Sequence, residues 1–264
     1  MLETKMARWS RVVRPITGHG LIVPVDHGLT SGGLSGMERS AQLTQALRHP
    51  AVTAVVAHKG MIARLLPTGC LYGKGIILQM NGMMSSAAEP HRKELLASVD
   101  TALRLGADAV SVELVFDGVH NSHNLALLGA LTDQAAPYGL PVLVMAKCLQ
   151  PNAGSEAVVN GMRRVVRSLW ELGADAVKLP KPDALTDIPA LLDGLADDID
   201  VFFAGGARST DDEMQKLLAA GLAAGAKGLC VGRNVFQNEQ PGHLLTMLDA
   251  QFTRHVAAAP ASVY

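Results

Sequence analysis

The chain has 264 residues, of which 48% are hydrophobic, so it is long enough to bury a large core. Its 23 lysine and arginine residues nearly balance 24 aspartate and glutamate residues, and the net charge is -1. This balance argues against nucleic acid as a partner, because binding a phosphate backbone needs a strongly basic face. No apolar run reaches the roughly 18 residues of a membrane-spanning helix, so we predict no membrane partner.

The cysteines and the chain ends indicate a cytoplasmic protein. Cys70, Cys148 and Cys230 are too few and too scattered for a disulfide framework or a zinc site, so we expect reduced, mostly buried thiols. Residues 1–15 are basic but lack the apolar core of a signal peptide. We expect them to form an arm that packs on a neighbouring subunit, and we expect residues 256–264 to fray.

Eight short apolar runs predict strands that are buried on both faces, as in a parallel sheet. In chain order they are 21–26, 53–58, 75–80, 108–114, 141–147, 175–180, 200–205 and 228–232. Helical periodicity predicts helices at 92–106 and 161–173, each ending in glycine. The segment LGADAV occurs at 105–110 and 172–177, and AGAKGL at 224–229 echoes it, as expected for a repeated joint between helix and strand.

Strands that alternate with helices in a chain of this length predict an α/β fold, a single-domain (β/α)8 TIM barrel over residues 1–264. An open, doubly wound sheet is the alternative. Such a sheet usually carries a glycine-rich GxGxxG turn after its first strand. Here the segment VDHGLTSGG follows the first strand and lacks that spacing, which favours the barrel.

In such a barrel the active site lies at the C-terminal ends of the strands. Lys147 and Lys178 end consecutive predicted strands, which lie about 4.8 Å apart in a sheet. Two inward-facing lysines at that spacing repel each other, and repulsion and burial both favour the neutral amine. A neutral amine attacks carbonyl groups to form an imine. The alternative is that these lysines form structural ion pairs with acids at the rim.

Asp26 ends the first predicted strand and faces the same mouth. A carboxylate there can move protons during C–C cleavage, addition or dehydration. The alternative is that Asp26 caps the following helix or loop. Its placement beside Lys178 favours the catalytic role. The adjacent His27 is a candidate substrate contact and proton relay, or otherwise a buried rim histidine.

The turns after the last two strands predict a phosphate site. Gly205 and Gly206 follow the seventh strand, and Gly232 and Arg233 follow the eighth. Barrels often bind phosphate at these two turns through backbone N–H groups and a helix N-terminus. Glycine lets the backbone approach the ligand closely, and arginine adds charge. Lys59, after the second strand, is a further candidate substrate contact.

His120 and His123 lie in the segment DGVHNSHN. Their spacing differs from the i, i+4 pair of a helical zinc motif. We therefore predict no metal, and no other cofactor.

Six segments, in this order and at this spacing, resemble one known enzyme family. They are VPVDHG, AHKGM, LGADAV, AVK, AGGAR and VGRNVFQ. Over about residues 15–250 the chain resembles the archaeal-type class I fructose-bisphosphate aldolases. Within that family, the AHKG segment is most similar to 2-amino-3,7-dideoxy-D-threo-hept-6-ulosonate synthases. VDHG and VGRNVFQ are quite specific to the family, whereas LGADAV is common in barrels.

The resemblance implies that Lys178 forms an imine with a phosphorylated keto sugar and that Asp26 handles protons. It implies that the two glycine-rich turns hold the phosphate of this substrate. It also implies a homo-oligomer, a pentamer or a decamer of two rings.

Two places depart from the family pattern. Lys147 stands where the family has an acid/base tyrosine, and LPKP replaces the threonine and tyrosine that follow the imine-forming lysine. We predict a class I aldolase or transaldolase with Lys178, Asp26 and Lys147 as catalytic residues. The alternatives are a sugar-phosphate isomerase or dehydratase that uses Asp26 and Lys147 without an imine, and a barrel that binds sugar phosphate without catalysis.

Overall fold

Eight parallel strands form a closed barrel in the computed structural model, which describes residues 2–38, 40–150 and 153–258. The barrel strands are β1 Gly20–Pro24, β2 Ala54–Ala57, β3 Gly75–Gln79, β4 Ala109–Phe116, β5 Val142–Cys148, β6 Ala176–Pro180, β7 Asp200–Ala204 and β8 Gly228–Cys230. Each strand pairs with the next along the chain, and β8 pairs with β1. The predicted barrel and its eight strands are confirmed.

Helices surround this barrel and also cover its bottom. They are α1 Leu2–Val12, α2 His27–Ser31, α3 Ser40–Leu47, α4 Lys59–Leu65, α5 Val99–Arg104, α6 Asn121–Ala135, α7 Ser155–Glu171, α8 Ile188–Leu192, α9 Asp211–Ala223, α10 Arg233–Phe236 and α11 Pro241–Ala258. The strands are apolar on both faces because one face packs against these helices and the other fills the barrel. Alternate strand residues therefore point into the barrel, which brings polar residues at the strand ends to a common mouth.

The predicted helix at 92–106 is wrong in its first half. Glu94–Leu95 instead pairs with Asn81–Gly82 as a two-stranded antiparallel ribbon. Helix α5 begins only at Val99, because the Ser98 hydroxyl caps it by accepting a hydrogen bond from the backbone N–H of Thr101 at 3.2 Å. The other predicted helix, at 161–173, starts six residues early as α7 and ends as expected before a glycine with positive φ.

The repeated LGADAV segment places an aspartate immediately before β4 and β6. The Asp108 carboxylate accepts a hydrogen bond from the backbone N–H of Ile76 at 3.0 Å. The Asp175 carboxylate accepts one from the backbone N–H of Val142 at 2.8 Å. Each aspartate thus satisfies a backbone donor of the preceding strand at the bottom of the barrel, a role that explains why the segment recurs.

Helix α1 closes the bottom of its own barrel. Lys5 and Arg11 form ion pairs with the two LGADAV aspartates at 2.8 and 2.9 Å. The Trp9 indole N–H donates to Asp200 at 2.7 Å, and its ring packs edge-on against Phe202 inside the barrel. Helix α1 therefore packs on its own barrel, and contact of this basic segment with a neighbouring subunit stays a prediction. Its cations match the carboxylates at the bottom of the barrel.

Because Trp9 both fills the bottom of the barrel and satisfies Asp200, we expect Trp9→Ala to lower the free energy of unfolding by roughly 2–3 kcal/mol. Trp170→Ala is the matched control, because Trp170 lies 39% exposed on α7. Urea unfolding followed by circular dichroism measures both variants. Equal losses would contradict the assigned role of α1.

Helix α11 extends to Ala258, so the prediction that the tail frays is wrong for residues 256–258, and residues 259–264 lie outside the described chain. All three cysteines are free thiols, with Cys70 and Cys230 buried and Cys148 half-buried. Across the described ranges, we find no helix that combines the length and the apolar character needed to cross a membrane.

Candidate active site

A cavity of ≈ 380 Å³ opens at the C-terminal ends of the strands. Eight of the nine predicted site residues line it: Asp26, His27, Lys147, Lys178, Gly205, Gly206, Gly232 and Arg233. Lys59 is the exception, because its exposed ammonium donates to the backbone carbonyl of Leu96 at 2.9 Å. The fold therefore gathers residues from both ends of the chain at one mouth, as expected of a barrel.

Lys178 projects from β6 into this cavity. Its strand neighbours Val177 and Leu179 face the outer helices, while Ala176 faces the inside of the barrel, so alternation turns Lys178 inward. The Lys178 ammonium lies 3.8 Å from the Met145 sulfur on β5. No carboxylate of the described residues lies within 4.0 Å of this ammonium. Among the described residues, Lys178 therefore has no ion-pair partner.

Asp26 lies two residues beyond β1, and its side chain is mostly buried at the cavity wall. It occupies the N-cap position of α2, yet its side chain forms no capping hydrogen bond. The capping alternative is therefore wrong. The carboxylate faces the same cavity as Lys178, and its oxygen lies 3.5 Å from the His27 ring nitrogen Nδ1.

His27 is a neutral imidazole at neutral pH. Burial lowers its pKa, and the charges of Lys178 and Arg233 lower it further, against the opposing effect of Asp26. Its ring packs edge-on against Phe236, with ring centroids 5.4 Å apart. A neutral imidazole can both donate and accept a proton, but the relay role of His27 remains a prediction.

Lys147 forms an ion pair rather than repelling Lys178. Its ammonium lies 2.5 Å from Oε1 of Glu113 on the neighbouring strand β4. Met145, and not Lys147, is in register with Lys178, so Lys147 lies one inward position nearer to solvent. The expectation that the two lysines control each other's charge is therefore wrong, and the ion-pair alternative holds for Lys147.

A third lysine completes this cluster. Lys93 comes from the loop of the two-stranded ribbon, is only 4% exposed, and lies 2.9 Å from Oε2 of Glu113. Burial alone would raise the pKa of Glu113, but the ammonium groups of Lys147 and Lys93 together lower it to about 2. Glu113 is therefore ionised at neutral pH.

The two glycine-rich turns are joined by one buried amide. The Asn234 side chain donates to the backbone carbonyls of Gly205 and Ala207, at 3.2 and 3.3 Å. Its oxygen accepts a hydrogen bond from the backbone N–H of Ser209 at 2.8 Å. Asn234 is 2% exposed and lies just after the turn that follows β8. Its hydrogen bonds therefore hold the turn after β7 next to the turn after β8. Both turns line the cavity.

Residues 20–238 match the DeoC/LacD family of aldolases. This chain belongs to that family. It is 29% identical to 2-amino-3,7-dideoxy-D-threo-hept-6-ulosonate synthase 1 of Archaeoglobus fulgidus over 237 residues, which cover 90% of this chain and 86% of the relative. It is 31% identical to 2-amino-4,5-dihydroxy-6-oxo-7-(phosphonooxy)heptanoate synthase of Streptomyces griseus over 250 residues, which cover 91% and 88%.

Solved structures agree with this assignment at the level of the fold. An archaeal fructose-1,6-bisphosphate aldolase, with its catalytic lysine covalently bound to the carbinolamine intermediate, superposes with a TM-score of 0.82. The identity is 22%, over 94% of this chain and 98% of that one. The predicted resemblance and the predicted aldolase class of enzyme are thereby confirmed.

Gly232 of this aldolase has no room for a side chain. A methyl group there would lie 2.4 Å from the carbonyl oxygen of Pro24 and 2.8 Å from the His27 ring. We expect Gly232→Ala to displace the turn after β8 and to raise KM for a phosphorylated substrate by roughly 10–100-fold. Gly60→Ala is the control, because a methyl group there meets nothing within 4 Å. Initial-rate kinetics on both variants measure the effect, and similar KM values would exclude it.

Sequence reasoning missed Lys93 and Asn234 as parts of this site. Lys93 lies in the first half of segment 92–106, which the sequence wrongly predicts as helix. Asn234 lies inside the VGRNVFQ segment, so a signal was present, but its buried amide matters only once the two turns are seen together. His120 and His123 lie outside the cavity, where His120 binds Asp117 and His123 binds the backbone carbonyl of Lys93.

Proposed function

We propose that this protein is a class I aldolase or transaldolase, which forms or cleaves a C–C bond in a phosphorylated keto sugar through an imine on Lys178. The supporting observation is the setting of that amine. It lies in the mouth cavity beside the Met145 sulfur, with no carboxylate partner within 4.0 Å in the described chain. An amine that faces a cavity and has no ion-pair partner is open to a carbonyl group that enters there, and a lysine amine attacks carbonyls to form an imine.

The reaction follows from this placement. The Lys178 amine adds to the ketone carbon, and loss of water gives an iminium ion. The iminium draws electrons from the bond between the next two carbons as the hydroxyl on the departing carbon loses its proton. Asp26, with Lys147 or a water, takes that proton and the aldehyde leaves. Protonation of the remaining enamine carbon and hydrolysis of the imine restore the free amine and release the ketone.

The phosphate of the substrate fits the turns after β7 and β8. Gly206 lines the cavity with a positive φ of 71°, a backbone conformation that favours glycine, and Arg233 adds a positive charge at the start of α10. The Streptomyces griseus relative is named for a product with a ketone next to a phosphorylated carbon. We propose a donor of the same chemistry here, with its ketone at Lys178 and its phosphate at the turns.

Borohydride trapping tests the proposal directly. The protein is incubated with dihydroxyacetone phosphate, fructose 1-phosphate or fructose 1,6-bisphosphate, reduced with borohydride, digested and analysed by mass spectrometry. We expect one stable adduct, located on Lys178 by fragmentation. Lys181→Arg is the control, since Lys181 lines the same cavity and its loss should leave the adduct in place. An adduct on another lysine, or turnover without any adduct, would contradict the imine mechanism.

A further inference from the structure

Glu113 is the residue at which three elements of the barrel mouth meet. It lies near the end of β4, its Oε1 contacts Lys147 of β5, and its Oε2 contacts Lys93 of the ribbon loop. Asn81, two residues after the end of β3, holds its backbone. The family resemblance assigned no role to Glu113 or Lys93, yet both oxygens of this carboxylate and its backbone are held by neighbouring residues.

The backbone of Glu113 is fixed by a chain of buried amides. The Asn81 side chain accepts from the Glu113 N–H at 2.8 Å and donates to the Glu113 carbonyl at 2.9 Å. Gln79 donates to the Asn81 side-chain oxygen at 3.0 Å and accepts from the Ser111 hydroxyl. These three residues are at most 2% exposed. A buried network with satisfied partners is rigid, so the position of Glu113 is set before any substrate binds.

Lys93 fixes the side chain of Glu113 in the same way. Its ammonium is buried and lies 2.9 Å from Oε2, and burying such a charge is costly without a partner of opposite charge. The ribbon that carries Lys93 is itself held, since the His123 ring donates to the Lys93 carbonyl at 2.8 Å. Lys147, by contrast, has a side chain that is 55% exposed at the mouth. Lys93 is therefore structural, whereas Lys147 is exposed where a substrate would enter.

We propose that Lys93 is a positioning residue: it holds the Glu113 side chain in place, so that Oε1 orients Lys147 as the proton donor for the aldehyde oxygen. The inference rests on the proposed function. In the addition direction, the enamine carbon attacks the aldehyde carbon and the C=O π electrons move to the oxygen. That oxygen takes a proton from Lys147, and Lys147 regains one from water at the exposed mouth.

The charged groups around Glu113 determine the pH at which its carboxylate takes up a proton. Lys147 faces it from β5, Lys93 from the ribbon and His27 from the turn after β1, and Lys178 of β6 lies across Met145 in the same layer. Burial raises the pKa of Glu113, and without Lys93 only the nearby Lys147 lowers it. The carboxylate then takes up a proton at a higher pH than in the wild type, and its hold on Lys147 is lost there.

Lys93→Met tests this role in two separable steps, with dihydroxyacetone phosphate as the probe. The first step, imine and enamine formation, is measured by borohydride trapping and by exchange of the probe's carbon-bound hydrogen in deuterated water. We expect it to change less than about threefold. The second step, addition to glyceraldehyde, should lose roughly 10–100-fold in kcat. The acid limb of kcat should move to higher pH by about one unit or more.

Lys74→Met is the matched control, because the Lys74 ammonium binds the backbone carbonyls of His49 and Val52 at 2.9 and 2.7 Å, away from the cavity. It should lower stability without moving the acid limb. Lys93→Gln serves if the methionine variant does not fold, and should show the same shift. A Lys93 variant with wild-type addition rate and pH profile overturns the inference. A wild-type protein that neither traps nor exchanges the probe overturns the proposed function, and this inference with it.

Discussion

Replacing Lys178 by methionine is expected to lower kcat by at least ~10⁴-fold, because the imine mechanism loses its nucleophile. Methionine suits the site, since the Lys178 side chain already contacts the Met145 sulfur and needs no ion pair to be replaced. The fold should therefore survive, and circular dichroism can check this. Steady-state cleavage and borohydride trapping of the same preparation measure the loss of turnover and the loss of the adduct together.

Two further variants test whether the loss of activity is due to the loss of the imine. Lys178→Arg keeps a positive charge at the site but cannot form an imine, so we expect the same loss as with methionine. Lys181→Met removes another lysine that lines the cavity and should retain most of the activity. Substantial turnover in Lys178→Arg would instead favour the imine-independent isomerase or dehydratase, with Asp26 and Lys147 as its acid/base pair.

The barrel could be predicted from the sequence because its strands are buried on both faces. Such strands give continuous apolar runs, and the run at 75–80 needs no knowledge of its partners to be recognised as β3. Once the strands are known, the rule that active sites lie at their C-terminal ends selects residues as far apart as Asp26 and Arg233. Local pattern and a general property of the fold are sufficient for this much of the site.

The pairing of charges could not be predicted in the same way. Whether Lys147 faces Lys178 or Glu113 depends on the register and depth of three strands, and a shift of one inward position reverses the answer. Lys93 reaches the mouth only because the chain leaves the barrel after β3 and returns as a ribbon. The periodicity of residues 92–106 favours a helix locally, and the tertiary pairing of Glu94–Leu95 overrides that preference.

The same limit applies to the N-terminal segment. The sequence shows that this segment is basic but not which carboxylates its charges meet. Their partners are Asp108 and Asp175, which the sequence shows only as members of a repeated segment. The repeat indicates a joint between helix and strand, but not that both carboxylates lie at the bottom of a closed barrel, where helix α1 meets them.

Asp26→Asn is expected to separate imine formation from the proton transfers that follow it. The amide has the size of the carboxylate but cannot take up a proton, so kcat should fall by about 10²–10⁴-fold. The Lys178 amine is unchanged, and the borohydride adduct should still form. We expect the adduct to accumulate with fructose 1,6-bisphosphate or fructose 1-phosphate, because cleavage now becomes slower than imine formation. Rapid-quench trapping over a single turnover measures both rates.

Asp117→Asn is the control for this variant. Asp117 also follows a barrel strand, but its carboxylate binds the ring nitrogens of His91 and His120, each at 2.9 Å, and it does not line the cavity. Its replacement should weaken that loop and leave kcat within about threefold of the wild type. If Asp26→Asn behaved in the same way, a carboxylate at the end of β1 would not be the group that handles protons. That role would then pass to Lys147, whose ion pair with Glu113 also lies at the mouth.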